Sequence, residues 1–252
     1  MKENIIEFKA APSIARDKAL HPDPGLLHIP KWYKQVPNPD SHKDRTIKAC
    51  KPFLDSLLAG YILKNPLDQI VNFNVYNEDK KATGTWIEVK GDAVPFKAYN
   101  NVNSGGSGEP DGGKEFHPIH QVGGMTCPYS KKNLGYPIYK LLNPWTIKIE
   151  KGYSVLILPP INRPDDRFEI LSGIVDSGHE IPTNFPCVFK KQGTWVLKKG
   201  TPIATIFPFK IESWRAKVSE TTPNETMASL WKYSSELKAW YENHFWNKKS
   251  WK

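Results

Sequence analysis

Residues 136–214 decide the fold, and they read YPIYKLLNPWTIKIEKGYSVLILPPINRPDDRFEILSGIVDSGHEIPTNFPCVFKKQGTWVLKKGTPIATIFPFKIESW. Short runs of β-branched and aromatic residues alternate there with glycine and proline, which is the pattern of strands separated by turns. The whole chain of 252 residues holds 22 prolines and 17 glycines, which disfavours a helical bundle. The sequence therefore predicts a mainly β fold, either a two-sheet sandwich or a β-clip-like roll.

The segments around this core predict a single domain, residues 1–252, with two helices. Residues 1–45 are rich in proline and should form an extended arm. A short helix is expected near 47–58, where apolar residues share one face, and a C-terminal helix near 223–246, where an apolar stripe recurs every three or four residues. Residues 100–113, NNVNSGGSGEPDGG, are rich in glycine and predict a flexible loop or flap within the domain.

A tryptophan followed by a strand pattern and a Lys-Gly pair occurs three times, at residues 86–91, 145–152 and 195–200. Each unit is followed by an apolar run that reaches a proline. Glycine suits the positive backbone angles of tight turns, so each unit predicts a β-hairpin that turns at Lys-Gly. The spacing is irregular, which indicates a recurring hairpin rather than a repeat array.

Net charge and cysteine content restrict the partners and the compartment. The formal net charge is +9 and the isoelectric point is near 9.3, which favours nucleotides, nucleic acid or other anionic partners. A lysine-rich solvated surface is the alternative explanation. No run of 18 apolar residues occurs, so no transmembrane helix is expected. Three distant cysteines, Cys50, Cys127 and Cys187, indicate a reduced, cytoplasmic protein without a disulfide framework.

Asp176 and His179 lie three residues apart, directly after the apolar strand pattern of residues 168–175. An aspartate and a histidine at a strand-to-loop junction are well placed for general acid–base catalysis or for metal ligation. The alternative is a structural turn, in which Asp176 accepts hydrogen bonds from the main chain ahead of Gly178.

A second group of candidate ligands is His117 and His120, with Cys127 seven residues later. Two imidazoles and a thiolate can hold zinc, but a loop with incidental histidines explains the same spacing. The phosphate loop of ATP-binding folds and the glycine motif of dinucleotide-binding folds are both absent from the sequence. The sequence thus points to no particular cofactor.

Part of the core resembles the dUTPase and dCTP-deaminase group in the order of its motifs. Residues 152–160 resemble the approach strand, GIVDSGH at 173–179 the second motif, and GTPIAT at 200–205 the third. The resemblance implies that Asp176 acts at the sugar of a nucleotide and orders a water, with His179 at the position of a tyrosine. Pro160-Ile161-Asn162 stands where members of the group carry arginine and serine for phosphate.

A broader resemblance links most of the chain to uncharacterised proteins of tailed, marine-type bacteriophages. The segments that carry it are IPKWYKQVP, IKACKPFLDSLLAGYIL, PIYKLLNPWTIKIEKGYSVLILPP and KKGTPIATIFPFK. It implies expression in the cytoplasm of an infected bacterium and implies no activity.

The main functional hypothesis is a small anionic ligand, such as a nucleotide, bound near Asp176. Asn162, Arg163 and Arg167 in the PINRPDDRF loop would contact its phosphate groups, because the arginine fork suits bidentate contacts. Asp176 would accept a hydrogen bond from a ligand hydroxyl, and His179 would move a proton. Whether a reaction follows binding is left open by the sequence.

Three alternatives belong to other classes. The first is a non-catalytic interaction or virion-associated protein, and the sequence is compatible with an oligomer. The second is a metal-dependent enzyme that uses His117 and His120. The third is a single-stranded nucleic-acid binder that uses the aromatic, basic tail of residues 223–252, where bases could stack and lysines could hold phosphates.

Overall fold

The computed structural model confirms the mainly β fold. It describes residues 4–38, 46–73, 86–89, 139–141, 143–178, 183–235 and 240–251. Thirteen strands occur in this part of the chain, and they are β1 (Ile6–Lys9), β2 (Asp23–Pro24), β3 (Tyr61–Lys64), β4 (Gln69–Phe73), β5 (Trp86–Val89), β6 (Tyr139–Leu141), β7 (Thr146–Ile149), β8 (Tyr153–Leu158), β9 (Phe168–Ile170), β10 (Gly173–Asp176), β11 (Phe185–Phe189), β12 (Gly193–Leu197) and β13 (Pro202–Lys210).

Helices are short and lie at both ends of the chain. The α-helices of the described residues are α1 (Pro12–Ala15), α2 (Lys31–Gln35), α3 (Lys51–Leu58), α4 (Pro223–Ser235) and α5 (Trp240–His244). Three 3₁₀ turns accompany them, at Lys18–Leu20, Gly25–His28 and Ile47–Ala49. None of the helices in the described part of the chain is long and apolar enough to cross a membrane.

The helix expected near 47–58 is present, divided at Cys50 into a 3₁₀ turn and α3. A proline, Pro52, lies in the first turn of α3, where its missing N–H leaves no hydrogen bond unmade. Gly60 follows the end of α3 with a φ of 72°. A Cβ atom there would lie 2.6 Å from the carbonyl oxygen of Ile206, so only glycine fits.

All sheets are antiparallel, and the largest has the strand order β10-β8-β13-β3-β2. Two three-stranded sheets, β6-β11-β9 and β12-β4-β5, and the pair β1-β7 complete the fold. Alternate residues of β4 are buried, as expected for a strand with one covered face. Side chains from all three larger sheets meet in one apolar core, which includes Leu63, Phe73, Ile157, Phe189 and Trp195.

The hairpins predicted at the Lys-Gly pairs are wrong where the structure describes them. Lys151-Gly152 joins β7 to β8, and Lys199-Gly200 joins β12 to β13, but the two strands of each pair lie in different sheets. The glycines do adopt the predicted positive φ, 90° at Gly152 and 81° at Gly200. The turn chemistry is therefore local, whereas strand pairing depends on partners that are distant in the sequence. The third pair, at residues 90 and 91, lies outside the described residues.

The C-terminal helix begins as predicted, at Pro223. Thr222 caps α4: the N–H of Glu225 donates to its hydroxyl at 3.3 Å, and the Glu225 carboxylate accepts from the N–H of Thr222 at 2.8 Å. Hydrogen bonds from Thr222 lower the pKa of Glu225. Helix is described over Pro223–Ser235 and Trp240–His244, and residues 236–239 lie outside the described residues. Met227 and Leu230 of the predicted apolar stripe are exposed rather than packed on a sheet.

Two of the three cysteines lie in the described part of the chain. Cys50 is exposed, Cys187 is buried in the core, and both are free. Burial raises the pKa of the Cys187 thiol, so this side chain behaves as an apolar core residue. Cys127 lies outside the described residues.

Candidate anion-binding site

The loop that follows β8 is fixed to two other parts of the fold. The N–H of Ile161 donates to the Thr205 hydroxyl of β13 at 3.2 Å. Asn162 has a φ of 55°, a left-handed conformation that asparagine tolerates, and its side-chain amide donates to the Ser56 hydroxyl of α3 at 2.7 Å. These contacts hold Arg163, the next residue, against the end of α3.

Arg163 joins three separate segments of main chain. Its Nε donates to the carbonyl of His28 at 2.9 Å, and its Nη2 donates to those of Gly25 at 3.2 Å and Leu57 at 2.7 Å. Its Nη1 donates to the carbonyl of Ile161 at 2.8 Å. A guanidinium carries five N–H groups, so these contacts leave one N–H, at Nη1, for another acceptor.

No carboxylate is paired with Arg163 within the described ranges. Burial alone accounts for the change in its pKa, which is lowered from the ordinary arginine value. The four carbonyl oxygens supply partial negative charge, but they do not neutralise the cation. A half-buried cation without a counter-ion favours the approach of an anion.

Three more titratable side chains are linked to this arginine through the main chain of His28. Asp23 of β2 accepts hydrogen bonds at the same carboxylate oxygen, Oδ2, from Lys64 at 2.7 Å and from His28 Nε2 at 3.0 Å. Lys64 is buried at the end of β3, with 5% of its side chain exposed. Burial on its own would raise the pKa of Asp23, but the hydrogen bonds from Lys64 and His28 outweigh it and hold that pKa below the ordinary value.

We refer to Asp23, His28, Lys64 and Arg163 as the basic cluster. His28 connects its parts, because its carbonyl accepts from Arg163 and its ring contacts Asp23. The cluster contains two permanent cations and one carboxylate, so it carries excess positive charge even with a neutral imidazole. The sequence did not indicate His28 or Lys64 as ligand residues, and Lys64 meets Asp23 only through the pairing of β2 with β3.

Arg167, the other predicted phosphate contact, is already neutralised. Its Nε and Nη2 donate to the two carboxylate oxygens of Asp165 at 2.9 and 2.6 Å, and Nη1 donates to the carbonyl of Val196 at 2.8 Å. The hydrogen bonds that Arg167 donates to Asp165 raise the pKa of Arg167. Its guanidinium carbon lies 5.6 Å from the ring centre of Trp195, a cation–π contact. These partners anchor the loop to β12.

Asp176 is the last residue of β10 and is exposed. Its Oδ1 accepts a hydrogen bond of 2.7 Å from the hydroxyl of Ser154, which lies opposite it on β8. The arginine loop begins after Leu158, at the other end of the same strand. Four residues of strand correspond to about 13 Å, so Asp176 and Arg163 cannot contact the same small ion.

The predicted histidine ligands lie outside the described residues, both the pair His117 and His120 and the proposed partner of Asp176, His179. Within the described part of the chain, no group of three or more histidine, cysteine or acidic residues is arranged to hold a metal ion.

The aromatic tail proposed for nucleic acid is partly docked on the fold. The indole N–H of Trp246 donates to the Asp55 carboxylate of α3 at 3.0 Å, and Lys249 donates to it at 2.6 Å. The ring of Trp251 contacts Tyr61 and Phe207 edge-on, with 5.9 Å between ring centres in each case. Two of the tail's tryptophans therefore pack against the domain.

No protein-family model matches the chain, and no curated protein matches it. Among solved structures, the chain is similar to a mutant dUTPase from phage phi11 of S. aureus, which coordinates a structural Mg(II) ion. The two are 14% identical, and the similarity covers 34% of this chain and 72% of the dUTPase with a TM-score of 0.25. A likeness of this size carries no argument about the fold or the activity of this protein.

Proposed function

We propose that the protein binds a small anionic ligand, such as a nucleotide, through the basic cluster. The observation that carries the proposal is the half-buried Arg163, which has no carboxylate partner among the described residues. One N–H of its Nη1 is offered to the anion, and so is the Nδ1–H of His28 in its imidazolium form, since Nε2 is hydrogen-bonded to Asp23. An arginine N–H to a phosphate oxygen is a charge-assisted hydrogen bond, among the strongest in proteins.

Asp176 keeps a separate role in this proposal. A ligand with phosphate at Arg163 and a hydroxyl at Asp176 would run along β8 for about 13 Å. Asp176 would then accept from the ligand hydroxyl in place of Ser154, with His179 as the proton carrier. Asn162 positions the loop, and Arg167 anchors it to β12 rather than contacting phosphate. The setting of the proposal is the cytoplasm of an infected bacterial cell.

The test is thermal unfolding and calorimetric titration with phosphate, pyrophosphate, deoxynucleotides and the matching nucleosides. A ligand at one hundred times its dissociation constant stabilises the native state by about 2.7 kcal/mol. For a protein of this size the midpoint should rise by about 5–10 °C with the anions and stay constant with nucleosides. No shift with any anion at millimolar concentration would overturn the proposal.

Two variants and one control locate the site. His28→Gln preserves a hydrogen bond to Asp23 and removes the imidazole, and Arg163→Lys preserves the charge and removes the fork. Both should weaken phosphate binding by at least about tenfold. Arg167→Gln is the matched control, because this arginine is already paired with Asp165, and it should bind as the wild type does. Equal binding by all four proteins would place the anion elsewhere.

A second function, that of a non-catalytic interaction protein, has its own support. The segment after β13 is exposed throughout residues 211–231 and carries large apolar side chains. Monomeric proteins rarely expose such a series over one segment. The two proposals concern different parts of the molecule and can be tested separately.

A further inference from the structure

The segment of residues 211–235, which we call the arm, follows β13, and it is exposed throughout residues 211–231. Residues 211–222 form no helix or strand, and α4 follows them. The N–H of Ile211 donates to the carbonyl of Gly152, which marks the last main-chain attachment to the sheets. Trp251, after the arm, packs beside Phe207 of β13, just before the arm begins. The arm is therefore a projection whose flanking segments are both fixed to the domain.

The arm presents apolar side chains to solvent. Trp214 is 88% exposed and Val218 is 97% exposed, and Ile211, Met227 and Leu230 are each more than half exposed. An aromatic side chain can bury about 150–250 Å², and these five side chains together offer about 600 Å². Two arms would bury about 1,200 Å², which reaches the lower end of stable protein interfaces, at about 1,200–2,000 Å².

The same chain carries an exposed apolar surface around α3, which we call the α3 surface. Leu26 and Leu27 lie on the 3₁₀ turn that packs on α3, and Leu27 is 67% exposed. The ring of Trp32 contacts Phe53 of α3 at 6.0 Å between centres and remains 42% exposed. Ile47, on the turn that leads into α3, is also exposed. The C-terminal tail is anchored at Asp55 of the same helix.

We infer that the arm of one copy docks on the α3 surface of a second copy of this chain, and that the exchange is reciprocal. This inference deepens the interaction function proposed above by naming the partner. A second copy supplies both an apolar arm and an apolar receiving surface. Two copies related by a twofold axis can therefore cover the arm and the α3 surface of each copy. The area of two arms reaches what a stable dimer needs, whereas a single arm offers about half of it.

The test begins with sedimentation velocity of the full chain between about 1 and 100 μM. The wild type should be a dimer. Trp214→Ser/Val218→Asp removes the apolar contact of the arm, and Leu27→Asp places a charge on the α3 surface. Each change should raise the dissociation constant by at least about tenfold. Arg215→Ser, in the same exposed segment, is the matched control and should leave the dimer intact. All four positions are exposed, so the unfolding midpoint should stay the same when it is measured at a concentration where every variant and the wild type are monomeric.

Mixing the two variants distinguishes reciprocal exchange from other dimers. Each variant alone has lost both arm–surface contacts, whereas a mixed pair retains one contact between an unaltered arm and an unaltered surface. The mixture should therefore associate at least about tenfold more tightly than either variant alone. A monomeric wild type, a dimer insensitive to the arm variant, or a mixture without rescue would each overturn the inference.

Trypsin cleavage at Arg215 and Lys217 distinguishes a failure of this inference from a failure of the proposed interaction function. Protection of these sites in a dimer, and cleavage in the arm variant, are the expected results. A monomer that is cut rapidly in the arm would overturn the second-copy inference and leave an interaction with another partner. A monomer whose arm is protected would overturn both, because the arm would then pack on its own domain. Phosphate binding by the arm variant reports on the basic cluster independently.

Discussion

Replacing Arg163 by methionine tests whether this side chain holds the Gly25–His28 turn, α3 and the loop after β8 together. Methionine preserves much of the apolar length and removes every N–H donor. The carbonyls of Gly25, His28, Leu57 and Ile161 would then lose their donor at once. Unpaired carbonyl groups that remain buried are expensive, so the junction should loosen or open.

The magnitude follows from the number of bonds and their access to water. A hydrogen bond to a charged group contributes about 1.5–3 kcal/mol, so four would give roughly 6–12 kcal/mol if all were buried. The site is half-buried, and water can replace some donors, which reduces the expected loss to about 3–5 kcal/mol. Arg163→Lys should lose about 2 kcal/mol or more, because three donors on one nitrogen cannot reach four separated carbonyls.

Urea unfolding followed by tryptophan fluorescence measures the loss, with the slope of the transition as a check on two-state behaviour. The midpoint of thermal unfolding should fall by about 8–15 °C for Arg163→Met. Arg215→Met, on the exposed arm, is the control and should change the free energy of unfolding by less than about 0.5 kcal/mol. A loss below about 1 kcal/mol for Arg163→Met, or a lysine variant as stable as the wild type, would refute the role of the fork.

Three further predictions follow from the same region and its neighbours. Gly60→Ala should destabilise the protein by more than about 2 kcal/mol, because its Cβ would lie 2.6 Å from the Ile206 carbonyl oxygen and its φ is 72°. Urea unfolding measures the loss. The control is Gly173→Ala, whose Cβ would meet no atom within 4 Å. The pKa of Asp23 is lowered in the folded protein. Its contribution to the free energy of unfolding should therefore be fully present above the ordinary aspartate pKa and be lost as the pH falls through the lowered value. Free energies of unfolding for the wild type and Asp23→Asn should thus converge in acid, and a constant difference would contradict this. Asp55→Ala should release the tail at Trp246, giving faster chymotrypsin cleavage there and an unchanged core, and cleavage at the wild-type rate would argue against the anchor.

Local features of the sequence were sufficient for the fold class and for several turns. The glycine at position 200 and its lysine neighbour predicted the turn, and Pro52 and Gly60 predicted the limits of the first helix. Strand pairing could not be predicted, because β13 pairs with β3 across about 140 residues and with β8 across about 50, and turn chemistry carries no information on such partners. The predicted hairpins failed for this reason.

The candidate site shows the same division between local and distant information. The sequence singled out Arg163 for its chemistry, and the structure shows which groups it contacts. Lys64 and Asp23 are 41 positions apart in the sequence. In the sequence Lys64 is recognisable only as the last residue of an apolar strand pattern. Conversely, the sequence analysis assigned Asp176 and Arg163 to one ligand, but Asp176 lies at one end of β8 and the arginine loop follows the other end.

The arm shows how far an amphipathic pattern can be taken. In the structure Thr222 and Glu225 cap the start of α4, and this contact needs only neighbouring residues. The apolar stripe predicts that α4 is covered, but periodicity does not say which surface covers it. In the structure the domain binds the tail through Trp246 and Trp251, whereas Trp214 and Val218 stay exposed. The pattern is consistent with burial against another molecule, and the α3 surface gives a second copy the matching apolar face. The basic cluster and the α3 surface would then be neighbours in one chain, because His28 and Leu27 belong to the same 3₁₀ turn.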